Sequence, residues 1–216
     1  MKRLTSAAAG MAASLLLSVP AAWAASEGPC ARESLASTAV ERRFDAALAL
    51  ADCGTSDDVP ALLQALHDGE ERVRDAAEQA LWRVWSRSGD ASIDGLYRQG
   101  MTQLMEGARP RAIATFSTII ERRPEFAEAW NRRATLFLMT GEYAKAQRDL
   151  DEALKLNPNH FGVLEGFGHL YIRLARPERA LEYFQRAYDI NPNLVGVQRT
   201  IDELGIVVRG MKERGI

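Results

Sequence analysis

The sequence predicts an all-α fold in which two-helix hairpins stack side by side into a right-handed helical-repeat solenoid. Proline returns every 34 residues, at positions 124, 158 and 192. Small and bulky apolar residues keep the same interval, at Gly100, Ala134 and Gly168, at Ala112, Ala146 and Ala180, and at Phe116, Leu150 and Phe184. Self-similarity of this kind is typical of stacked helical repeats, which bind other proteins far more often than they catalyse reactions.

Residues 127–160 show the plan of one hairpin. Trp130 and Phe137 lie two turns apart on a first helix, and Gly141 follows where that helix is expected to end. Leu150 belongs to the apolar face of a second helix, which Pro158 ends because proline disfavours helical angles in the residue before it. A lone hairpin could not bury its apolar face, whereas stacked neighbours can.

The flanking segments repeat this plan, so we expect three hairpins over residues 93–126, 127–160 and 161–194. The remaining segment, 195–216, carries an apolar stripe with helical spacing at Val197, Ile201, Leu204 and Val208. Because a solenoid exposes an apolar face at its last repeat, we expect this segment to form a capping helix and tail.

These residues resemble the tetratricopeptide repeat (TPR) family, whose pattern is W-x2-L-G-x2-Y, then A-x3-F, then P. The segment from Leu164 to Tyr171 matches the first part closely. Ala112 and Phe116, like Ala180 and Phe184, match the A-x3-F part by spacing and type. The resemblance covers 102 residues, nearly half of the chain. It implies a non-catalytic protein that binds other proteins.

Residues 25–89 are also predicted to be helical, but on a different interval. Asp45-Ala46-Ala47 precedes Asp75-Ala76-Ala77 by 30 residues, and a further helix is expected between them. The string from Val73 to Leu81 resembles short HEAT repeats, so we interpret this part as a HEAT-like section. Residues 86–92 are the expected joint to the tetratricopeptide repeats. For Trp82 and Trp85, just before the joint, we expect core packing, with an exposed aromatic binding patch as the alternative.

Residues 1–24 have the features of a secretory signal peptide. Lys2 and Arg3 precede an uncharged apolar run that is too short to span a bilayer, and Ala22-Trp23-Ala24 favours cleavage before Ala25. An uncleaved anchor and a lipoprotein are the alternatives. We therefore expect a periplasmic or secreted protein, with no membrane span after cleavage.

The charge of the chain argues against nucleic-acid partners. Loss of the two basic residues with the signal peptide moves the formal net charge from −2 to −4, whereas nucleic-acid binding depends on neutralising phosphates. No nucleic-acid partner is expected. The oligomeric state is left open.

Two cysteines, Cys30 and Cys53, lie in the predicted mature chain. An oxidising compartment would allow them to form a disulfide, worth about 3 kcal/mol in the chain-entropy model. Two buried thiols or a redox pair are the alternatives, and the spacing is far from C-x-x-C.

No catalytic site, metal site or cofactor is predicted. The three histidines, His67, His160 and His169, form no metal-ligand motif, and the chain has no nucleophile elbow or phosphate-binding glycine loop. We therefore expect that the protein is not an enzyme.

The family resemblance implies that the first helices of the repeats line a concave peptide-binding groove. Carried over to this sequence, it assigns to the groove Tyr97, Met101, Asn131, Thr135, Glu165, His169 and Arg173. Leu104, Met105, Leu138 and Met139 fall at further facing positions, with a core role as the alternative. The lysine and asparagine with which one subgroup grips a C-terminal carboxylate are replaced by Tyr97 and Met101 in the first repeat.

The function that the sequence favours is an exported, non-catalytic scaffold or adaptor. It would bind peptide or helical segments of envelope proteins through its concave face. A structural or self-associating subunit of an envelope complex is the main alternative, and a binder of a small ligand or cell-wall fragment is a further one.

Overall fold

The computed structural model describes Cys30 and residues 32–215. The predicted signal peptide, residues 1–24, lies outside the described residues. The described part is all-α, with ten α-helices and two short 3-10 helices at Arg32–Ala36 and Ser56–Asp58. The α-helices are α1 (Val40–Cys53), α2 (Val59–Ala65), α3 (Glu71–Trp85), α4 (Ala91–Met105), α5 (Arg109–Arg122), α6 (Ala127–Thr140), α7 (Tyr143–Leu156), α8 (Phe161–Arg173), α9 (Pro177–Ile190) and α10 (Val195–Glu213).

Helices α4 to α9 pack as three consecutive pairs, α4 with α5, α6 with α7 and α8 with α9. The contact inside a pair explains why small residues keep the 34-residue interval. A Cβ atom on Gly100 would come within 2.9 Å of the Phe116 ring, and one on Gly168 within 2.6 Å of the Phe184 ring. The first helix therefore lies directly on the aromatic side chain of the second, and a larger residue would separate them.

The turns inside the three pairs share a left-handed backbone position. Gly107 and Gly141 have φ angles of 73° and 79°, and the equivalent residue of the third repeat, Ala175, has a φ of 52°. Glycine adopts this conformation at no steric cost, whereas alanine is strained by its Cβ atom. The third turn therefore carries strain that the first two avoid.

Helices α1, α2 and α3 form an N-terminal unit ahead of the repeats. Helix α1 packs on α3, and Ala46, Ala47, Ala76 and Ala77 are buried. Arg43 holds the turn after α2 through two hydrogen bonds to the Asp68 carboxylate, of 2.6 and 2.9 Å. The sulfurs of Cys30 and Cys53 are bonded, with their Cα atoms 6.0 Å apart, so the segment before the first 3-10 helix is tied to the end of α1.

The N-terminal unit and the repeats share a buried apolar cluster. Leu81 and Trp85 of α3 belong to the same buried cluster as Phe161 and Leu164 of α8. Arg74 of α3 adds a hydrogen bond of 2.7 Å to the side chain of Asn193, which precedes α10. The unit therefore lies against the repeats along several of their helices.

Helix α10 follows the third pair and packs against α9. Its Val197 is buried, and Ile201 and Leu204 are partly buried against the cluster of the third repeat. Within the described part of the chain, none of the helices combines the length and the apolar character that crossing a membrane requires.

Candidate peptide-binding face

The first helices of the three repeats, α4, α6 and α8, lie beside one another and form the face on which the sequence places the groove. Helix α3 lies over the N-terminal halves of α6 and α8, through Trp82 and Trp85. The C-terminal ends of α4, α6 and α8 carry exposed apolar side chains. The two halves of the face therefore have different roles.

Trp82 and Trp85 of α3 fill the covered half. The Trp85 ring stacks on His160 with 4.2 Å between the ring centroids, and the Trp82 ring meets Phe161 edge-on at 5.2 Å. Gly162 lies directly beneath Trp82, where an added Cβ atom would come within 2.4 Å of the indole. Trp82 and Trp85 therefore form the core contact between the N-terminal unit and α8, as expected, rather than an exposed patch.

A buried carboxylate lies beneath these rings. Glu128 of α6 is fully buried and accepts hydrogen bonds from Tyr97 at 3.1 Å, Asn131 at 2.9 Å and His160 at 2.9 Å. Arg132, one turn further along α6, contributes an ion pair at 2.6 Å. A charge in an apolar interior is tolerated only when it is paired and hydrogen-bonded, and Glu128 satisfies both conditions.

The charges around Glu128 determine its protonation. Burial by itself would raise its pKa, but the charge of Arg132 and the hydrogen bond from His160 outweigh burial and lower the pKa to about 2. Burial, reinforced by the charge of Glu128, raises the pKa of Tyr97 to about 12. Glu128 is therefore ionised and Tyr97 neutral at physiological pH, so the two do not form an acid–base pair that titrates there.

The guanidinium of Arg132 also lies 5.4 Å above the Trp82 ring, a cation–π arrangement that ties α6 to α3. Its Nε donates a further hydrogen bond of 3.2 Å to the Tyr97 hydroxyl. Arg132 thereby connects the buried carboxylate with the tryptophan that covers it.

Two of the residues assigned to the groove are buried in this arrangement. Tyr97 is 7% exposed and Asn131 is 4% exposed, and both donate to Glu128. Because these polar groups are already bonded, Tyr97 and Asn131 hold the fold together in this structure instead of presenting free donors to a peptide. Their assignment as peptide-contacting residues stays a prediction.

The other predicted groove residues occupy intermediate or exposed positions. Met101 is partly buried against the core of the first repeat, and the Thr135 hydroxyl donates to the Asn131 carbonyl at 3.0 Å. Glu165 is half-buried, and burial together with the charge of Glu78 on α3 raises its pKa to about 7. His169 and Arg173 are exposed.

The sequence did not indicate that four residues of this face contact one another. They are Glu128, Arg132 and His160 of the repeats and Trp82 of α3. Their sequence separations are large, since His160 lies 32 residues from Glu128 and Trp82 lies in another section of the chain. The pair Trp82 and Trp85 was a signal of packing, but nothing in the sequence states which helix they would cover.

The uncovered half of the face carries a row of exposed apolar side chains, here named the apolar strip. Its members are the twelfth or thirteenth residues counted from positions 93, 127, 161 and 195, and they lie on α4, α6, α8 and α10. Its members and their exposed fractions are Met105 (77%), Met139 (52%), Ile172 (42%), Ile206 (65%) and Val207 (48%). Leu104 and Leu138, beside it, are partly buried in the core. Exposed apolar side chains that recur at corresponding repeat positions favour a contact surface over scattered exposure.

No group of three His, Cys, Asp or Glu side chains in the described residues lies close enough together to hold a metal ion.

Comparison with known proteins places the repeats in a family. Two family models, both described as tetratricopeptide repeat, match residues 97–146 and 125–193. A TPR repeat-containing protein of Rhizobium etli is 33% identical over 108 residues, which are 50% of this chain and 53% of that protein. The Hsp70-Hsp90 organizing protein of Triticum aestivum is 22% identical over 70% of this chain and 26% of its own length. The chain thus spans about half of the first relative and less of the second.

Solved structures show the same fold at low sequence identity. The Sgt2 TPR domain from Aspergillus fumigatus covers 58% of this chain and 83% of its own, with a TM-score of 0.54 and 16% identity. The first TPR of Spaghetti (RPAP3), bound to the Hsp90 peptide SRMEEVD, covers 56% of this chain and 96% of its own, with a TM-score of 0.53 and 18% identity.

Together the two models match residues 97–193 and do not reach residues 25–89. The HEAT-like interpretation of residues 25–89 therefore stays a prediction. Within the matched range, the helix pairs, the small-on-aromatic contacts and the family models agree. Residues 97–193 match the tetratricopeptide repeat models, so this part of the chain consists of tetratricopeptide repeats.

Proposed function

We propose that this protein is an exported, non-catalytic scaffold that binds a segment of an envelope protein through the uncovered half of its repeat face. The observation that carries this proposal is the apolar strip. A row of exposed methionine and isoleucine side chains is costly to leave in water and adapts well to a partner's apolar residues. Tetratricopeptide repeats mediate protein–protein binding, and the Spaghetti domain holds a peptide.

Because half of the face is covered, the proposal places the partner on an exposed surface and not in a deep open groove. Helix α3 occupies the positions at the N-terminal halves of α6 and α8, through Trp82, Trp85 and the Glu128 cluster. The N-terminal unit therefore stiffens the repeats and restricts a partner to the strip. Stiffening before binding reduces the entropy that a partner loses on docking.

Export is supported by the pattern of residues 1–24 and by the Cys30–Cys53 bond, which an oxidising compartment would maintain. An exported protein meets the proteins of the envelope, so we propose these as its partners.

The test is site-specific photocrosslinking in cells that produce the protein. A photoreactive residue at Met139 should yield a discrete crosslinked product, whereas the same residue at Arg148, exposed on the second helix of that repeat, should not. Met105→Lys in the Met139 reporter should lower the yield. Equal products from both positions, or none from Met139, would overturn binding at the strip.

Export is tested separately on the same material. Mass spectrometry of the purified protein should find an N-terminus at Ala25 and no thiols that react with an alkylating agent before reduction. A chain that keeps Met1 and has two reactive thiols would remove the export part of the proposal and leave the binding part in place.

A further inference from the structure

We infer that the segment bound by the apolar strip is an amphipathic helix with acidic residues at one end. This inference deepens the proposed function and rests on it. Three observations carry it: the amide and hydroxyl donors of α6 are already hydrogen-bonded, the strip has a length that suits a helix, and one of its ends is cationic.

The first observation concerns hydrogen bonds. An extended peptide leaves its backbone N–H and C=O groups unpaired unless the receptor supplies partners, and burying them unpaired is costly. The Asn131 amide donates to Glu128, and the Thr135 and Thr140 hydroxyls donate to backbone carbonyls of their own helix. A helix pairs its own backbone groups, so a strip that meets no free amide or hydroxyl donor on α6 suits a helix better than an extended chain.

The second observation concerns length. The strip crosses four helices, and neighbouring helices pack about 8–10 Å apart, which gives a span of roughly 27 Å. A helix rises 1.5 Å per residue, so about 18 residues cover the strip. A contact every seventh residue would meet one receptor helix after another, because seven residues rise about 10 Å.

The third observation is the cationic end of the strip, where a pocket lies between α8 and α10. Ile172, Leu204 and Met211 give it an apolar lining, Arg176 lies at its edge, and its volume is about 320 Å³. This pocket is large enough to receive an apolar side chain of the partner.

Arg176 lines this pocket, and further cations lie close to it in the sequence of the same helices. Arg173 and Arg176 are exposed, and neither forms an ion pair within the described part of the chain. The end of α10, which reaches the pocket through Met211, carries Arg209 and Lys212, and Arg214 follows the helix. The acids of the same segments are Glu178 and Glu213. The excess of positive charge favours carboxylates on the end of the partner helix that reaches the pocket.

The experiment uses the purified protein and three labelled synthetic peptides of about 18 residues, the length set by the helix rise. The first has leucines on one face and glutamates at one end. The second replaces the glutamates with lysines. The third keeps the acidic composition but carries two central prolines that prevent a helix. Fluorescence anisotropy measures their affinities.

The acidic helix should bind at least about tenfold more tightly than either of the other two peptides, a difference of about 1.4 kcal/mol. The double variant Arg173→Glu/Arg176→Glu should lose this preference and favour the lysine peptide. The double variant Arg148→Glu/Lys155→Glu, which changes exposed cations on α7, should bind like the parent. Circular dichroism of each variant checks that the fold is intact.

Equal binding of the proline peptide would overturn the helix, and equal binding of the lysine peptide would overturn the charge preference. Failure of all three peptides would overturn the inference as a whole. A crosslinked product at Met139 together with such a failure would show that the strip binds proteins of another kind, so the proposed function would survive. Absence of both would remove the two together.

Discussion

Glu128 and His160 form the junction at which the second repeat, the third repeat and the N-terminal unit meet. Nε2 of His160 donates a 2.9 Å hydrogen bond to the Glu128 carboxylate, and both side chains are fully buried. Glu128 belongs to the second repeat, His160 immediately precedes the third, and the His160 ring stacks on Trp85 of the N-terminal unit. The repeats and the N-terminal unit are therefore coupled through one buried polar cluster.

Replacing Glu128 with glutamine tests this coupling. The amide leaves the Arg132 charge without its buried partner, so Glu128→Gln is expected to lower the free energy of unfolding by about 3–5 kcal/mol. Denaturant unfolding followed by circular dichroism measures the change. Glu125→Gln, at an exposed carboxylate nearby, is the control and should change stability by less than about 1 kcal/mol. Equal midpoints for the two variants would contradict the role of the cluster.

Two glycines at equivalent repeat positions should respond oppositely to alanine. At Gly162 an added Cβ atom meets the Trp82 indole at 2.4 Å, whereas at Gly196 it meets nothing within 4 Å. Gly162→Ala should therefore destabilise the protein by about 1–3 kcal/mol through overpacking. Gly196→Ala should stabilise it by about 0.5–1 kcal/mol, since alanine favours a helix.

Thermal unfolding of the two variants beside the parent gives the comparison. If both alanines stabilised the protein, Trp82 would not lie on α8 as the structure places it. Tryptophan fluorescence of Gly162→Ala should also change, because its clash is with an indole ring.

The stability of the protein should depend on the ionisation of Glu165. Burial and the charge of Glu78 raise the pKa of Glu165 to about 7 from an ordinary value of 4.5. Between these values the folded state holds a proton that the unfolded state releases, so this contribution is complete below pH 4.5 and is lost as the pH rises through 7.

Glu165→Gln should therefore be more stable than the parent near pH 8, on the order of 2 kcal/mol, and the difference should shrink toward about pH 5. Denaturant unfolding of both proteins at each pH measures it, and taking the difference removes the other titrating groups. A difference that grew as the pH fell would show that Glu165 is stabilised as a carboxylate, contrary to this expectation.

The strained turn of the third repeat gives a further prediction. Ala175 has a φ of 52° where the first two repeats have glycine. Ala175→Gly relieves about 1–2 kcal/mol of left-handed strain and loses about 0.4–1 kcal/mol to the more flexible unfolded chain, so a net gain of about 0.5–1 kcal/mol is expected. Thermal unfolding measures this gain.

The reciprocal variant, Gly141→Ala, is the matched control and should lower stability by about 1 kcal/mol, because it places the same strain in the second repeat. A loss of stability in Ala175→Gly would mean that the Ala175 methyl group packs in the pocket between α8 and α10, and that this contact outweighs the strain.

The repeat architecture could be predicted because its determinants are local and periodic. Helix pairs require a small residue against an aromatic one at a fixed interval, as in Gly100 with Phe116 and Gly168 with Phe184, and that interval is visible in the sequence. The disulfide was predicted from the number of cysteines and their compartment, and the structure joins Cys30 to Cys53.

The candidate site was predicted only in part. The repeat positions correctly indicated which residues lie on the first helices, but not which half of that face is covered. Tyr97 and Asn131, each the fifth residue of its repeat, are bonded to a buried carboxylate. His169 and Arg173, the ninth and thirteenth residues of the third repeat, are exposed. Met105 and Met139, for which a core role was the alternative, are exposed members of the strip.

The sequence by itself determined the helices, their pairing and their interval, because each depends on contacts between residues less than about one repeat apart. Only the tertiary structure decided that α3 lies across the repeats, with Trp82 and Trp85 on His160 and Phe161. That contact joins residues more than 70 positions apart. Its geometry depends on the combined shape of several helices, so the free part of the face follows from packing and not from any periodic pattern.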